Sequence, residues 1–158
     1  LNPQWLESKL LECNVGRATV RTIAQATCDA LEHSDLAVVA SGTATIEAAL
    51  CERPMVVVYR VSPFTWAIGK FLVNVPFYSM VNLLAGKRVV PELMQNDFSG
   101  HKLAAQVEYL LDHPEARSEI VRNLRIVKSH LGSGGAIGRA ADAVMGVLQG
   151  TGTTLSAP

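Results

Sequence analysis

The segment at residues 41–50 contains small, hydroxyl-bearing and acidic residues whose spacing suits the binding of a phosphorylated ligand. Gly42 allows the backbone to approach a ligand closely, and Thr43 and Thr45 add hydroxyl donors. Where a turn like that at Ser41 opens a helix, the free amides of the first helical turn and the helix dipole both favour a negative group. Glu47 follows Thr43 by four residues, so both lie on one helix face, where a carboxylate could accept hydrogen bonds from a ribose diol.

Each of these features also has a structural interpretation. Small residues between a strand and a helix allow the two elements to pack closely, and a lone glutamate on a helix is often only solvated. A second candidate is the loop at residues 79–86, in which Asn82 offers donors and an acceptor near the end of a predicted strand. Asparagine in a loop more often serves turn chemistry, so both interpretations of Asn82 stay open.

Several familiar motifs are absent. No G-x-G-x-x-G follows a predicted strand and no G-x-x-x-x-G-K-[ST] occurs, which disfavours an ordinary dehydrogenase or P-loop enzyme. The four histidines lack the spacing of a metal site, so neither a metal nor another cofactor is expected. They are His33, His101, His113 and His130.

Hydrophobic periodicity and helix start and stop signals predict the elements that position these residues. Strands are predicted at residues 19–23, 35–40, 55–59 and 76–80, and a short turn at 91–95. Helices are predicted at residues 2–13, 26–33, 43–50, 62–73, 99–111, 114–131 and 136–148. The almost continuously apolar run at 35–40 is typical of a strand buried on both faces of a parallel sheet.

Two consecutive strand-helix-strand units predict an α/β fold with a Rossmann-like, doubly wound parallel sheet flanked by helices. In such sheets, ligands bind beyond the carboxyl ends of the strands. The turn at Ser41 and Gly42 follows a predicted strand directly, so it is expected at that edge.

Composition indicates one globular domain. A chain of 158 residues can bury roughly 68–70% of its unfolded surface. Hydrophobic residues make up 49% of it, no apolar run is long enough to cross a bilayer, and the first ten residues lack a signal-peptide pattern. An intracellular protein is therefore expected. Three cysteines at irregular spacings fit neither a disulfide framework nor a zinc site, and are expected to be buried, reduced thiols.

The charge distribution is uneven although the total balances. Fourteen basic and fourteen acidic residues argue against a general nucleic-acid binder. Residues 53–88 nevertheless contain no acidic residue, which favours an anionic partner such as a phosphate or an anionic lipid. Their basic residues are Arg53, Arg60, Lys70, Lys87 and Arg88.

The segment at residues 62–75 has an apolar face flanked by Arg60 and Lys70. One hypothesis is docking at the interface of an anionic membrane. The alternative is a helix packed against its own sheet. Both interpretations stay open at this point.

Several runs together resemble the C-terminal half of lipid-A-disaccharide synthase. They are SGTATIEAAL at residues 41–50, RPMVVVYR at 53–60, SPFTWAIGKFL at 62–72 and VNLLAGKRVVPELMQ at 81–95, followed by the closing helices. The resemblance covers roughly residues 20–148, and these runs in this order are more specific than any one of them.

The resemblance implies a GT-B glycosyltransferase, built from two Rossmann-like domains, whose C-terminal domain holds the nucleotide of the donor. That family joins UDP-2,3-diacylglucosamine to 2,3-diacylglucosamine 1-phosphate, forms the β-1,6-linked disaccharide of lipid A and releases UDP. The chain would then be a donor-binding domain at residues 1–149 with a disordered tail at 150–158. The family's catalytic base belongs to the N-terminal domain, so this chain is expected to be inactive by itself.

The resemblance also implies roles for individual residues. Ser41, Gly42 and Thr43 would face the diphosphate, with Arg60 as a further diphosphate partner. Glu47 would match the ribose-binding glutamate of related UDP-sugar transferases, because in both a proline follows seven residues later. Asn82 falls in the family's N-L-L-A-G loop at the cleft.

Two function classes are therefore predicted. The first is the donor domain of a lipid-sugar transferase that is peripheral to the inner face of the inner membrane. Its rivals are donor domains of other UDP-sugar enzymes, such as the peptidoglycan N-acetylglucosaminyltransferase or a UDP-sugar epimerase. The second class is a non-catalytic module for homodimerisation or membrane attachment.

Overall fold

The computed structural model describes residues 3–13, 16, 18–62, 64–66, 76–132 and 135–148, which form a sheet flanked by helices. The strands are β1 (Ala37–Ala40), β2 (Met55–Tyr59) and β3 (Glu92–Met94). The helices are α1 (Pro3–Glu12), α2 (Thr27–Glu32), α3 (Ala44–Leu50), α4 (Met80–Ala85), α5 (Gly100–Asp112), α6 (Pro114–His130) and α7 (Ala136–Leu148). A single turn of 3-10 helix, Gln95–Asp97, follows β3.

The sheet is parallel, with β2 at its centre. Val38 of β1 lies opposite Val56 of β2, and Val58 lies opposite Leu93 of β3. The helix α3 connects β1 to β2, as a parallel pair requires, and the carboxyl ends of all three strands lie at one edge. The predicted α/β fold with a Rossmann-like parallel sheet flanked by helices is confirmed.

The core is built around β2. Met55, Val56 and Val57 have no exposed surface, so helices or loops cover both faces of this strand. The side chains packed around it come from the sheet-facing sides of the helices and include Ala48 and Ala49 of α3, Leu110 of α5 and Leu124 of α6. Burial of this apolar surface, worth about 25 cal/mol per Å2, is the main stabilising term.

β1 differs from β2 because one of its faces is open. Val39 is buried, whereas Val38 is 48% exposed. The prediction that residues 35–40 are buried on both faces is therefore wrong, since no described element covers the face that carries Val38.

Three further predictions of local structure are corrected. Residues 19–23 are exposed and pair with no described strand, so they form none. Residues 76–80 are not a strand, because Ser79 caps α4 by accepting a hydrogen bond from the backbone N–H of Asn82. Residues 91–95 contain β3 rather than a turn, because β2 supplies a hydrogen-bonding partner that local sequence does not reveal.

Six predicted helices are confirmed, each within one residue at either end. They are the helices at 2–13, 26–33, 43–50, 99–111, 114–131 and 136–148. Of the helix predicted at 62–73, residues 64–66 are helical and the others beyond Ser62 lie outside the described residues, as does the tail at 150–158. No described helix is both long and apolar enough to cross a bilayer.

The three cysteines are free thiols. Cys13 and Cys28 are exposed and Cys51 is half-buried, so the expectation of buried thiols is wrong for the first two. Burial is the main cause that raises the pKa of the Cys51 thiol, and the nearby Cys28 and Glu32 add to it. Cys51 therefore stays protonated at neutral pH, in which form a thiol is a weak nucleophile.

Candidate functional site

The turn between β1 and α3 leaves backbone donors free at the carboxyl edge of the sheet. Gly42 has φ of +154°, which residues with a Cβ rarely adopt, and a Cβ built there would meet no atom within 4 Å. The chain therefore needs glycine for its conformation, while the space beside it is open. Within the described residues, the amides of Gly42, Thr43 and Ala44 make no hydrogen bond.

The hydroxyl groups of this turn divide into two kinds. Ser41 Oγ donates to the Tyr78 carbonyl at 3.0 Å, and the buried Thr45 Oγ1 donates to the Gly42 carbonyl at 2.7 Å. These two hydroxyls hold the turn in shape. Thr43 is exposed and caps α3 without a side-chain hydrogen bond, so its hydroxyl is the one that a ligand can reach.

Glu47 lies one helical turn beyond Thr43, and its backbone N–H donates to the Thr43 carbonyl at 3.2 Å. Its side chain is exposed and forms no ion pair or hydrogen bond with any described residue. A carboxylate with unused acceptors thus shares a helix face with the unused hydroxyl of Thr43. The predicted relation between these two side chains is present.

Arg60 follows β2 and is held against the segment after β3. Its guanidinium donates to the carbonyls of Phe98 and Gln95 and lies 5.2 Å from the centre of the Phe98 ring. Arg60 remains exposed and brings positive charge to the carboxyl edge that also carries the Ser41 turn. The Ser41 N–H donates to the Val58 carbonyl of β2 at 2.9 Å, so the Ser41 turn begins next to the end of the strand that Arg60 follows.

Asn82 has a different setting from the other predicted site residues. It has no exposed surface, and its Oδ1 accepts from the backbone N–H groups of Val89 and Val90 at 2.7 and 3.0 Å. Its Nδ2 donates to the Val90 carbonyl at 2.9 Å and to Glu92 Oε1 at 2.7 Å. Each of its side-chain donors and acceptors is occupied, so the structure places Asn82 as a residue that shapes the loop and not beside an open ligand position.

Two residues that the sequence did not single out organise the same edge. Gln95 adopts φ of +48° and its side-chain amide pairs with Val61, accepting from the backbone N–H at 2.7 Å and donating to the carbonyl at 3.1 Å. Glu92 accepts hydrogen bonds from the backbone N–H groups of Tyr78 and Ser79 as well as from Asn82. Neither residue had a local signal, because its partners are brought to it by the fold.

A metal site and a large cavity are the other features that could indicate a functional site. Among the described residues no group of histidine, cysteine and carboxylate side chains could hold a metal ion. A cavity of about 440 Å3 lies between α5, α6 and residues 88–93, but none of the seven predicted site residues lines it. Convergence of free polar groups, and not cavity size, therefore identifies the carboxyl edge as the candidate site.

Comparison with known proteins places this fold in a family. Residues 4–133 match the family model described as lipid-A-disaccharide synthetase. The chain belongs to the lipid-A-disaccharide synthase family. That assignment covers the Ser41 turn, Glu47, Arg60 and the Asn82 loop.

Individual relatives agree with the family assignment. The chain is 49% identical over 143 residues to the lipid-A-disaccharide synthase of Solibacter usitatus, covering 90% of this chain and 38% of that protein. It is 40% identical over 154 residues to the lipid-A-disaccharide synthase of Koribacter versatilis, covering 94% of this chain and 40% of that protein. Against the synthase of Myxococcus xanthus the identity is 46% over 115 residues, covering 73% and 30% respectively. The chain thus spans about two fifths, or less, of these relatives.

Proposed function

We propose that this chain forms the part of a hexosyltransferase that binds a UDP-sugar donor. The observation that carries the proposal is the set of free amides at Gly42, Thr43 and Ala44, which lies at the carboxyl edge of a parallel sheet in a member of the lipid-A-disaccharide synthase family. By this proposal the donor is UDP-2,3-diacylglucosamine and the acceptor is 2,3-diacylglucosamine 1-phosphate. The product is the β-1,6-linked lipid A disaccharide 1-phosphate.

The proposed donor geometry follows from electrostatics. The diphosphate of UDP carries negative charge, which the Gly42 to Ala44 amides, the Thr43 hydroxyl and the guanidinium of Arg60 would stabilise. Glu47, one helical turn further on, would accept hydrogen bonds from the ribose hydroxyls. The same donors would stabilise the charge that develops on the departing diphosphate during transfer.

Transfer with inversion also needs a base that removes the proton from the acceptor hydroxyl. In our proposal that base belongs to a part of the enzyme outside this chain, and the isolated chain is inactive. Incubation of the purified chain with both lipid substrates should therefore release no UDP. Turnover that co-purifies with the chain through every column would contradict this part of the proposal.

Calorimetric titration of the chain with UDP tests the proposed site. We expect UDP to bind, ADP to bind more weakly because the proposed donor carries uridine and not adenosine, and Glu47→Ala to weaken UDP binding by about tenfold through loss of the proposed ribose contact. Glu108→Ala is the matched control, because Glu108 is also exposed on a helix and its side chain makes no hydrogen bond or ion pair with a described residue. A folded chain with no affinity for UDP, or equal effects of both substitutions, would contradict the proposal.

Helix α7 supports a second candidate, a homodimerisation module. Ile137, Val144 and Leu148 lie on one face of α7 and are 88%, 59% and 75% exposed. An apolar stripe of this kind buries itself against a partner when one is present. Sedimentation velocity should detect a dimer that Val144→Glu dissociates, and a monomer at all concentrations would exclude this module.

The proposed substrates are acylated, so the chain is expected to act at the inner face of the inner membrane. Phe64, 76% exposed beside Ser62, is the described part of the apolar segment that would dock there. Charge reversal by Lys70→Glu should weaken binding to anionic vesicles. Lys87→Glu tests the same idea less cleanly, since Lys87 Nζ also donates to Asn123 Oδ1 at 2.8 Å.

A further inference from the structure

Glu92 connects β3 to the loop in front of α4. Its Oε2 accepts from the Tyr78 N–H at 3.2 Å, and its Oε1 accepts from the Ser79 N–H at 2.9 Å and from Asn82 Nδ2 at 2.7 Å. We propose that Glu92 is a positioning residue of the donor site, an inference that rests on the proposed function. It acts through the loop and does not itself touch the donor.

The convergence of three N–H groups explains why a carboxylate stands at this position. An ionised carboxylate accepts hydrogen bonds on both oxygens and has no donor to oppose the incoming N–H groups. Glutamine would turn an NH2 group towards one of them. None of the ion pairs among the described residues includes Glu92, so the polar partners of its carboxylate are these three N–H groups.

The loop that Glu92 holds reaches the donor turn directly. Tyr78 donates its N–H to Glu92, and its carbonyl accepts the hydroxyl of Ser41 at 3.0 Å. Ser41 directly precedes Gly42, Thr43 and Ala44, whose amides make no hydrogen bond with a described residue. A shift of Tyr78 would therefore remove the acceptor that fixes Ser41 and alter the direction of the neighbouring amides.

The same loop contributes an aromatic surface at this edge. The ring of Tyr78 contacts that of Trp66, with 5.5 Å between ring centres, and both residues line a small cavity together with Glu92. Loss of the hydrogen bonds to Glu92 would thus disturb both the contact of Tyr78 with Ser41 and the contact of its ring with Trp66. Preorganised donors bind an anion more strongly than donors that must be ordered on binding.

The test compares Glu92→Gln and Glu92→Ala in the 158-residue chain with the matched controls Glu108→Gln and Glu108→Ala. Affinity for UDP is measured by calorimetry at a temperature at which every variant is folded, and melting is followed by circular dichroism. We expect Glu92→Ala to weaken UDP binding by about tenfold and Glu92→Gln by about threefold, with no change for the controls. Exchange of the Tyr78 and Ser79 amide protons should accelerate in both Glu92 variants.

A double-mutant cycle separates positioning from a purely structural role. If Glu92 acts through the Ser41 contact, the combined variant Ser41→Ala/Glu92→Gln should lose less UDP affinity than the product of the two single losses. Lowered melting temperatures with unchanged UDP affinity would overturn the inference. A double variant whose loss of UDP affinity equals the product of the two single losses would also overturn it. If Glu92→Ala does not fold, Glu92→Gln and the cycle decide the question.

Failure of the proposed function gives a different result. A folded wild-type chain that does not bind UDP would overturn the donor-site proposal and with it the role of Glu92. Wild-type binding that is lost in Glu47→Ala but retained in both Glu92 variants would overturn the Glu92 inference alone.

Discussion

Asn82 and the turn at Gly42 both carry polar groups close to the sheet, yet the fold treats them in opposite ways. Asn82 has no exposed surface and makes four side-chain hydrogen bonds within the chain. The amides of the Gly42 turn make none with the described residues, and Glu47 is exposed. The difference teaches that residue type alone does not identify a candidate binding group: a polar group whose hydrogen bonds are all made within the chain shapes the fold, and one with unused hydrogen bonds is available to a ligand.

Substitution of Asn82 should have the largest effect on stability. Asn82→Ala leaves the N–H groups of Val89 and Val90 buried without acceptors, so we expect the free energy of unfolding to fall by about 3 kcal/mol or more. Urea denaturation followed by circular dichroism measures it. Asn96→Ala is the control, because Asn96 is exposed and its side chain makes no hydrogen bond with a described residue, and it should change stability by less than about 0.5 kcal/mol. Equal effects of the two substitutions would remove the contrast between the regions.

Gly42→Ala should have an intermediate effect, caused by the backbone alone. At φ of +154° a Cβ is strained, which should cost about 1–2 kcal/mol even though no atom crowds it. Gly138→Ala is the matched control, since Gly138 lies in α7 with equally open space, and there alanine should stabilise by about 0.5–1 kcal/mol. Thermal unfolding should show a lower melting temperature for Gly42→Ala and a higher one for Gly138→Ala. A stabilising Gly42→Ala would show that the turn does not need glycine.

Much of this fold could be predicted because long elements repeat their pattern many times. The helices α5 and α6 carry apolar residues on one face over several turns, and the β-branched run of β2 is uninterrupted. β3 has only three residues, too few for alternation to distinguish a strand from a turn. Its pairing with β2 decides its conformation, and that pairing is a property of the assembled sheet.

The candidate site likewise contains residues whose relation could be predicted from local sequence and residues whose role depends on the assembled fold. The Gly42 turn, Thr43 and Glu47 are local in sequence, so their relation could be predicted from helical spacing. The role of Gln95 could not, because its partner Val61 is 34 residues away along the chain. Whether Asn82 points inward or outward also depends on the fold, since its side chain pairs with Val89 and Val90, which precede β3, and with Glu92, the first residue of β3.

Glu52 lies between the buried, fully hydrogen-bonded Asn82 and the exposed Glu47. Its contribution to the free energy of unfolding should be small and should depend on pH. Hydrogen bonds from Arg125 Nε at 2.7 Å and Lys128 Nζ at 3.0 Å hold the pKa of Glu52 below its usual range. Because the folded-state pKa is lowered, this stabilisation is fully present above the pKa of Glu52 in the unfolded chain and is lost as the pH falls through the lower pKa of the folded state.

The Glu52 contribution should not exceed about 1 kcal/mol, because Arg125 and Lys128 are largely exposed to solvent. Glu52→Gln should lower stability at pH 7 and converge with wild type at low pH, and high salt should shrink the difference. Urea midpoints across this pH range measure the effect. A difference that grows as the pH falls would contradict the assignment.

Glu47→Gln should change stability less than Asn82→Ala, Gly42→Ala or Glu52→Gln, and it should have a clear effect on UDP binding. Its side chain is exposed and unpartnered among the described residues, so the free energy of unfolding should change by less than about 0.5 kcal/mol. If Glu47 contacts the ribose as proposed, its loss should reduce binding and leave stability almost unchanged, whereas the loss of Asn82 should reduce stability first. Measuring urea denaturation and UDP affinity on the same preparations of both variants tests this opposition. If Glu47→Gln proved to be destabilising and Asn82→Ala neutral, satisfaction of polar groups would not be what separates the two regions.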